Sequence, residues 1–180
     1  GYLGEVIQDY FGDGHPWGWE IEYSHGPIEW DTGRRLWVAR ERLDESFLLL
    51  YSDNFVQFNL KKLMDLHQER QVAVSLLLAP KQKGNIRVSS TGQIEAYVKN
   101  REGERLNFVE IGYMVVERNF ILSLYKDIPN MPDISFTSIL ELLVEKGQIA
   151  GLVVEDPYHS ISDINRLELM RDYLHPKKII

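Results

Sequence analysis

The 180 residues are enough for one domain with a sizeable core, and 44% apolar with 26% charged residues is an ordinary globular composition. A net charge of −7 without a contiguous basic stripe argues against a dedicated nucleic-acid surface. The absence of cysteine excludes a disulfide framework, a thiolate metal site and a cysteine nucleophile.

No run approaches the ~18 consecutive apolar residues of a membrane span, and no signal peptide precedes the first helix, so a cytoplasmic protein without membrane contact is expected. The chain opens on Gly1, and Gly-Tyr-Leu-Gly reads as the end of a strand entering a helix, which points to part of a longer chain. Leu3, Val6, Ile7, Tyr10 and Phe11 have amphipathic helical spacing, ended by Gly12-Asp13-Gly14. Trp19 to Tyr23 alternates as a short strand, and His25-Gly26-Pro27 is a turn. Asp31 and Thr32 are candidate N-caps of a helix carrying Leu36, Trp37, Ala39, Arg40 and Leu43.

Phe47 to Tyr51 is a short apolar run stopped by Ser52-Asp53-Asn54. It predicts a strand buried on both faces inside a parallel sheet. Asp53, just past its carboxyl end, stands where open parallel sheets bind ligands, and its carboxylate can hold a divalent metal carrying phosphate oxygens. Asp and Asn are also the default residues of turns, and spacing alone favours that reading. A helix over 60–70 follows, with Leu60, Leu63, Met64 and His67 on one face.

Val72 to Ala79 is a second apolar strand, and Ile86–Val88 with Ile94–Val98 reads as a hairpin. Phe108 to Val116 is a strand interrupted at Gly112, which fits a bulge and a close approach by ligand or backbone equally well. Phe120–Tyr125 and Phe136–Lys146 are helical, Ile149–Glu155 is a strand, and Asp163 can cap a last helix that stops at His175-Pro176. Alternating strands and helices predict a three-layer α/β fold with a mostly parallel sheet and one hairpin insertion, as a single unit over 1–180.

No phosphate-cradling glycine loop and no G-x-S-x-G elbow is present, and His15 with His25 is weak evidence for metal. Lys99 follows a strand and can meet a phosphate as a point charge or sit solvated at the strand end.

The ordered set Gly-Tyr-Leu-Gly-Glu, Tyr-Phe-Gly-Asp-Gly, Asp-Thr-Gly-Arg-Arg-Leu, Leu-Leu-Tyr-Ser-Asp-Asn, Val109-Glu110-Ile111-Gly112-Tyr113 and Tyr158-His159-Ser160-Ile161-Ser162-Asp163 resembles the sugar-phosphate nucleotidylyltransferases. The likeness is greatest to the branch acting on mannose- and heptose-1-phosphate. The resemblance implies a Rossmann-like domain joining a nucleoside triphosphate to a sugar 1-phosphate with Mg²⁺, for nucleotide-sugar and polysaccharide synthesis. It implies that Asp53 holds Mg²⁺, that Thr32 and Gly33 lie against the nucleotide, that Lys99 contacts the sugar phosphate, and that Glu110 and Gly112 line the sugar pocket.

The chain departs from that pattern. The family's N-terminal Gly-rich segment is absent; it would lie on the order of 80 residues upstream. Ser160 stands at the second metal-binding Asp, Val98 where Glu is usual, and Glu110 where Asn is usual. The expectation is therefore an N-terminally truncated domain that does not catalyse alone and needs self-association or a partner chain to complete its sheet. The alternative is a non-catalytic regulatory or assembly subunit that binds a nucleotide sugar.

Overall fold

A computed structural model of the chain describes residues 1–127 and 134–175. In chain order the elements are α1 (Gly4–Phe11), α2 (Thr32–Ala39), β1 (Ser46–Leu50), β2 (Asn54–Phe55), α3 (Leu60–Arg70), β3 (Val74–Pro80), β4 (Ile86–Val88), β5 (Ile94–Tyr97), β6 (Phe108–Glu117), α4 (Arg118–Asp127), α5 (Phe136–Glu145), β7 (Ile149–Val153), β8 (His159–Ser160) and α6 (Ile164–Leu174). Two compact units emerge, Gly1–Asp44 with Arg118–Ile139, and Glu45–Glu117 with the residues from Leu140 onward. The stop expected at Pro176 lies outside the described residues.

In the first unit, the Asp31 side chain accepts the Gly33 N–H and caps α2, as its position before an apolar-periodic run predicts. Leu36, Ile121, Leu124, Tyr125, Phe136 and Ile139 are buried. Helix α1 behaves differently from its sequence pattern. Its apolar residues Leu3, Val6, Ile7 and Tyr10 are exposed, and none of its residues is buried. The strand expected over Trp19–Tyr23 does not form. Instead the Trp19 and Ile21 N–H groups donate to the carbonyls of Gly14 and Asp13, folding this segment back on the turn after α1.

The second unit holds a sheet in the order β5-β4-β6-β3-β7, with β1 also paired to β6. Hydrogen-bonded pairing is parallel only between β3 and β7; the other described pairs are antiparallel. The antiparallel pairs arise from the reversed strand β6, which lies between β3 and β1. Both neighbours are antiparallel to β6, so β1, β3, β4 and β7 still share one direction. Beside the hairpin β4–β5, the α/β class holds as expected.

Strand β3 is buried from Val74 to Ala79, as its continuous apolar sequence requires. Strand β1 is not. It pairs among the described residues only with β6, and Leu48 and Leu50 are 38% and 51% exposed. The apolar run is therefore an edge strand with one open face, not the doubly buried strand that its composition predicts. Helix α3 packs over β3, β6 and β7, burying Leu63 and His67. A core of Val56, Leu63, Leu77, Ala79, Val109, Ile111, Val115 and Val154 lies beneath the turn that follows β1.

Candidate functional site

Within the second unit, the turn after β1 and the bulge of β6 are tied to each other. The Tyr51 N–H donates to the Gly112 carbonyl at 2.8 Å, and the Tyr113 hydroxyl donates to the Asn54 carbonyl at 2.7 Å. Opposite Leu77, the register of β6 slips: Glu110 pairs with Leu78 and Met114 with Leu76. The extra residues bulge out, with Gly112 at φ +76°. A Cβ there would lie 2.6–2.7 Å from the Tyr51 side chain. The bulge reading of Gly112 is realised, and the group that presses on its backbone is the Tyr51 side chain, from the turn after β1.

The bulge also sets the chemistry of Glu110. Its Oε2 accepts the Gly112 N–H at 2.8 Å. Burial raises the carboxyl above its ordinary range, the Gly112 bond opposes that rise, and the negative charge of Asp53 adds to it. Asp53 and Glu110, 57 residues apart by their numbering, therefore sense each other electrostatically. Tyr113 is likewise raised by burial, against a backbone hydrogen bond from Val56.

Strands β2 and β8 form a two-residue ribbon that pairs Asn54 with Ser160 and Phe55 with His159. The Ile161 N–H donates to the Asp53 carbonyl at 2.7 Å, so Ser160 and Asp53 are one register step apart. Ser160, which carries a hydroxyl where the resemblance expects a second carboxylate, pairs with Asn54, and side chains alternate faces along a strand, so its hydroxyl is not on the face of the Asp53 side chain. Asp163 caps α6 through the Arg166 N–H and is engaged there, as the sequence predicts. No group of three or more metal-ligating His, Cys, Asp or Glu occurs among the described residues. Mg²⁺ takes one or two carboxylates and completes its shell with water and substrate phosphates, so the chemistry of the Asp53 carboxylate suits that ion.

Lys99 is exposed just after β5. Thr32 and Gly33 belong to the first unit, as the opening residues of α2 and not of a loop. Gly33 is packed hard: a Cβ would lie 2.3 Å from the Ile134 carbonyl oxygen, and its own carbonyl accepts the Tyr125 hydroxyl at 2.7 Å. Burial, then the charge of Asp31, pushes that phenol up. Beside α2, Pro27, Glu29, Trp30, Asp31 and Arg34 line an open cavity of about 470 Å³, with the Arg34 guanidinium 4.6 Å from the centre of the Trp30 ring. Sequence reasoning missed Tyr51 and Tyr113, which hold the turn against the bulge; their only signal is one tyrosine beside each breaker, Ser52-Asp53-Asn54 and Gly112.

No family description and no curated protein matches the sequence. Solved structures do match. A protein described as a glucose-1-phosphate thymidylyltransferase from Bacillus anthracis, in complex with a sucrose, is similar with a TM-score of 0.80 at 9% identity, over 94% of this chain and 71% of that one. HddC from Yersinia pseudotuberculosis is similar with a TM-score of 0.74 at 14% identity, over 96% of this chain and 75% of that one. The chain shares the Rossmann-like α/β fold of these structures. No helix among the described residues is long and apolar enough to cross a membrane.

Proposed function

We propose that this chain is a nucleotidylyltransferase-like domain whose site handles a nucleoside triphosphate and a sugar 1-phosphate, in the manner of the mannose- and heptose-1-phosphate branch. The observation that carries the reading is the Asp53–Glu110–Gly112 cluster at the carboxyl end of β1, where an α/β sheet of this kind binds ligands. The fold likeness supports the same class.

In this reading Asp53 holds Mg²⁺, which neutralises phosphate charge when bound. Glu110, fixed by the Gly112 N–H, presents a carboxylate oxygen to sugar hydroxyls, with the Gly112 backbone beside it in the sugar pocket. Lys99 meets the sugar phosphate as a point charge, and Thr32 with Gly33 lies against the nucleotide. The sugar phosphate oxygen attacks the α-phosphorus and pyrophosphate leaves, so the protein contributes positioning and charge neutralisation and no nucleophile of its own. The open edge of β1 is where a further strand can join the sheet. A cytoplasmic role in polysaccharide synthesis fits this chemistry.

One observation favours the second reading, a regulatory or assembly subunit that binds a nucleotide sugar. Position 160 carries a serine hydroxyl, a poorer Mg²⁺ ligand than a carboxylate. Calorimetric titration with GTP, CTP, ATP and the matching nucleotide sugars, with and without Mg²⁺, separates the two. Mg²⁺-dependent binding that is lost in Asp53→Ala supports the transferase. Metal-independent binding of a nucleotide sugar supports the subunit, and silence from all of them sinks both for this chain alone.

A further inference from the structure

Basic residues scattered in the sequence converge at the root of the β4–β5 hairpin. Backbone hydrogen bonds join the loop before β4 to the loop before β6: Lys81 N–H to the Asn107 carbonyl at 2.7 Å, Gly84 to Leu106 at 2.8 Å, and Asn85 to Phe108 at 2.9 Å. The end of β5 is held there too, because the Val98 N–H donates to the Asn85 carbonyl at 2.7 Å and Arg101 to Val98 at 3.0 Å. Lys81, Lys83, Lys99, Arg101 and Arg105 are thereby gathered, and all five are exposed. None forms an ion pair with a described residue, whereas Arg40, Arg42, Lys61, Arg87 and Arg166 each have a carboxylate partner.

Two further features set this junction apart. Arg101 and Arg105 both adopt φ +58°, the left-handed region that a long side chain seldom occupies. The tolerant residue of that loop, Gly103, is not the one bent in this way. The nearby acid Glu102 is occupied locally: its Oε2 accepts from the Asn100 amide at 2.9 Å and its own N–H donates to the Asn100 Oδ1 at 3.1 Å. Glu104 is the remaining carboxylate of the loop, which leaves cationic charge in excess.

We propose that this junction binds a compact anion carrying two or more phosphate groups. The net charge of −7 decides its size. Repulsion acts over roughly the 8 Å Debye length at physiological salt, so an extended polyanion such as RNA or an anionic membrane would also meet the chain's net negative charge beyond the junction. A pyrophosphate-sized ligand meets only the local cations. The proposal does not depend on Asp53 or on a metal. It shares Lys99 with the transferase reading and extends that single charge to a cluster.

Titration of the chain with inorganic pyrophosphate in the absence of Mg²⁺ tests it, with inorganic phosphate and ADP as further ligands. Saturable pyrophosphate binding is expected, at least tenfold tighter than inorganic phosphate. The pair Arg101→Gln with Arg105→Gln should weaken it about tenfold, and Lys81→Gln with Lys83→Gln, in the facing loop, should act in the same direction. Asp53→Asn should leave it unchanged, which separates this site from the proposed metal site. ADP equal to pyrophosphate identifies a nucleotide diphosphate group as the ligand; pyrophosphate alone identifies the free anion. The idea fails if pyrophosphate does not bind, if both double variants bind as the parent does, or if an RNA oligonucleotide or phosphatidylserine vesicle binds more tightly through the same residues.

Discussion

Gly112 and Tyr51 are in contact with no room for a methyl group between them: a Cβ on Gly112 would fall 2.6 Å from the tyrosine ring. The contact lies where the bulge of β6 meets the turn leading to Asp53, so it couples the shape of the candidate site to the stability of the sheet. Gly112→Ala combines a left-handed φ with that clash. The expected loss is about 2–4 kcal/mol, read from urea unfolding. Tyr51→Ala alone also destabilises, but the double variant should lose less than the sum, because the clash is gone. Strict additivity would mean that the two residues do not oppose each other.

Glu110 has a raised carboxyl, so folding favours its protonated form. The folded state then binds the proton more tightly than the unfolded state. Stability attributable to Glu110 is greatest below the unfolded value near 4.5, falls as pH rises toward the folded value, and levels off above it. Glu110→Gln keeps an oxygen for the Gly112 N–H and removes the charge. Relative to the parent, it should be stabilised increasingly as pH rises across that window, seen in paired denaturation curves from pH 4 to pH 8. A constant difference at every pH would contradict the burial of a charged carboxylate.

Local chemistry was readable in the sequence where it acts locally. Asp31 and Asp163 announce their helices because an N-cap needs only its own side chain and an N–H two or three residues on. Strand β3 is legible because burial on both faces demands an unbroken apolar run. The same run in β1 misleads, since its exposure depends on strand order, a property of residues as distant as Tyr113–Glu117 on β6. The β2–β8 ribbon has two residues a side and no periodicity to detect. Likewise the cationic junction is invisible as a stripe, because loops separated in sequence build it. Asp53 was found from its place after a strand; its electrostatic tie to Glu110 came only with the bulge.

From its place on α3, His67 bridges β3 and β6. Its Nδ1 is 2.9 Å from the Ser75 hydroxyl and its Nε2 is 2.9 Å from Glu117 Oε1. A neutral ring protonated at Nε2 satisfies both partners. His67→Ala should cost about 2–4 kcal/mol, from the cavity and the stranded partners. Ser75→Ala, which leaves a buried ring nitrogen unpaired, should cost about 1–2 kcal/mol. Glu117→Gln should cost under ~1 kcal/mol, because the half-exposed side chain is screened by solvent. Equilibrium denaturation of the three variants gives the order, and a Glu117 variant as damaging as the His67 one would overturn the network as described.

The open edge of β1 predicts a pattern at the level of single amides. The Tyr51 N–H points to Gly112 on β6, so by alternation Phe47 and Leu49 also face β6, while Ser46, Leu48 and Leu50 face away. Among the described residues no strand receives those outward groups. Hydrogen exchange of the isolated chain should show Leu48 and Leu50 at least tenfold less protected than Leu49 and Tyr51. An edge with two exposed leucines also invites pairing with another strand. Sedimentation velocity should therefore show association that grows with concentration and is reduced by Leu50→Lys. Should added polypeptide complete the sheet here, the protection of Leu48 and Leu50 must rise to that of their neighbours. If these two amides are already protected in a monomer at low concentration, the edge is covered from within the chain, and no partner strand is needed to explain it.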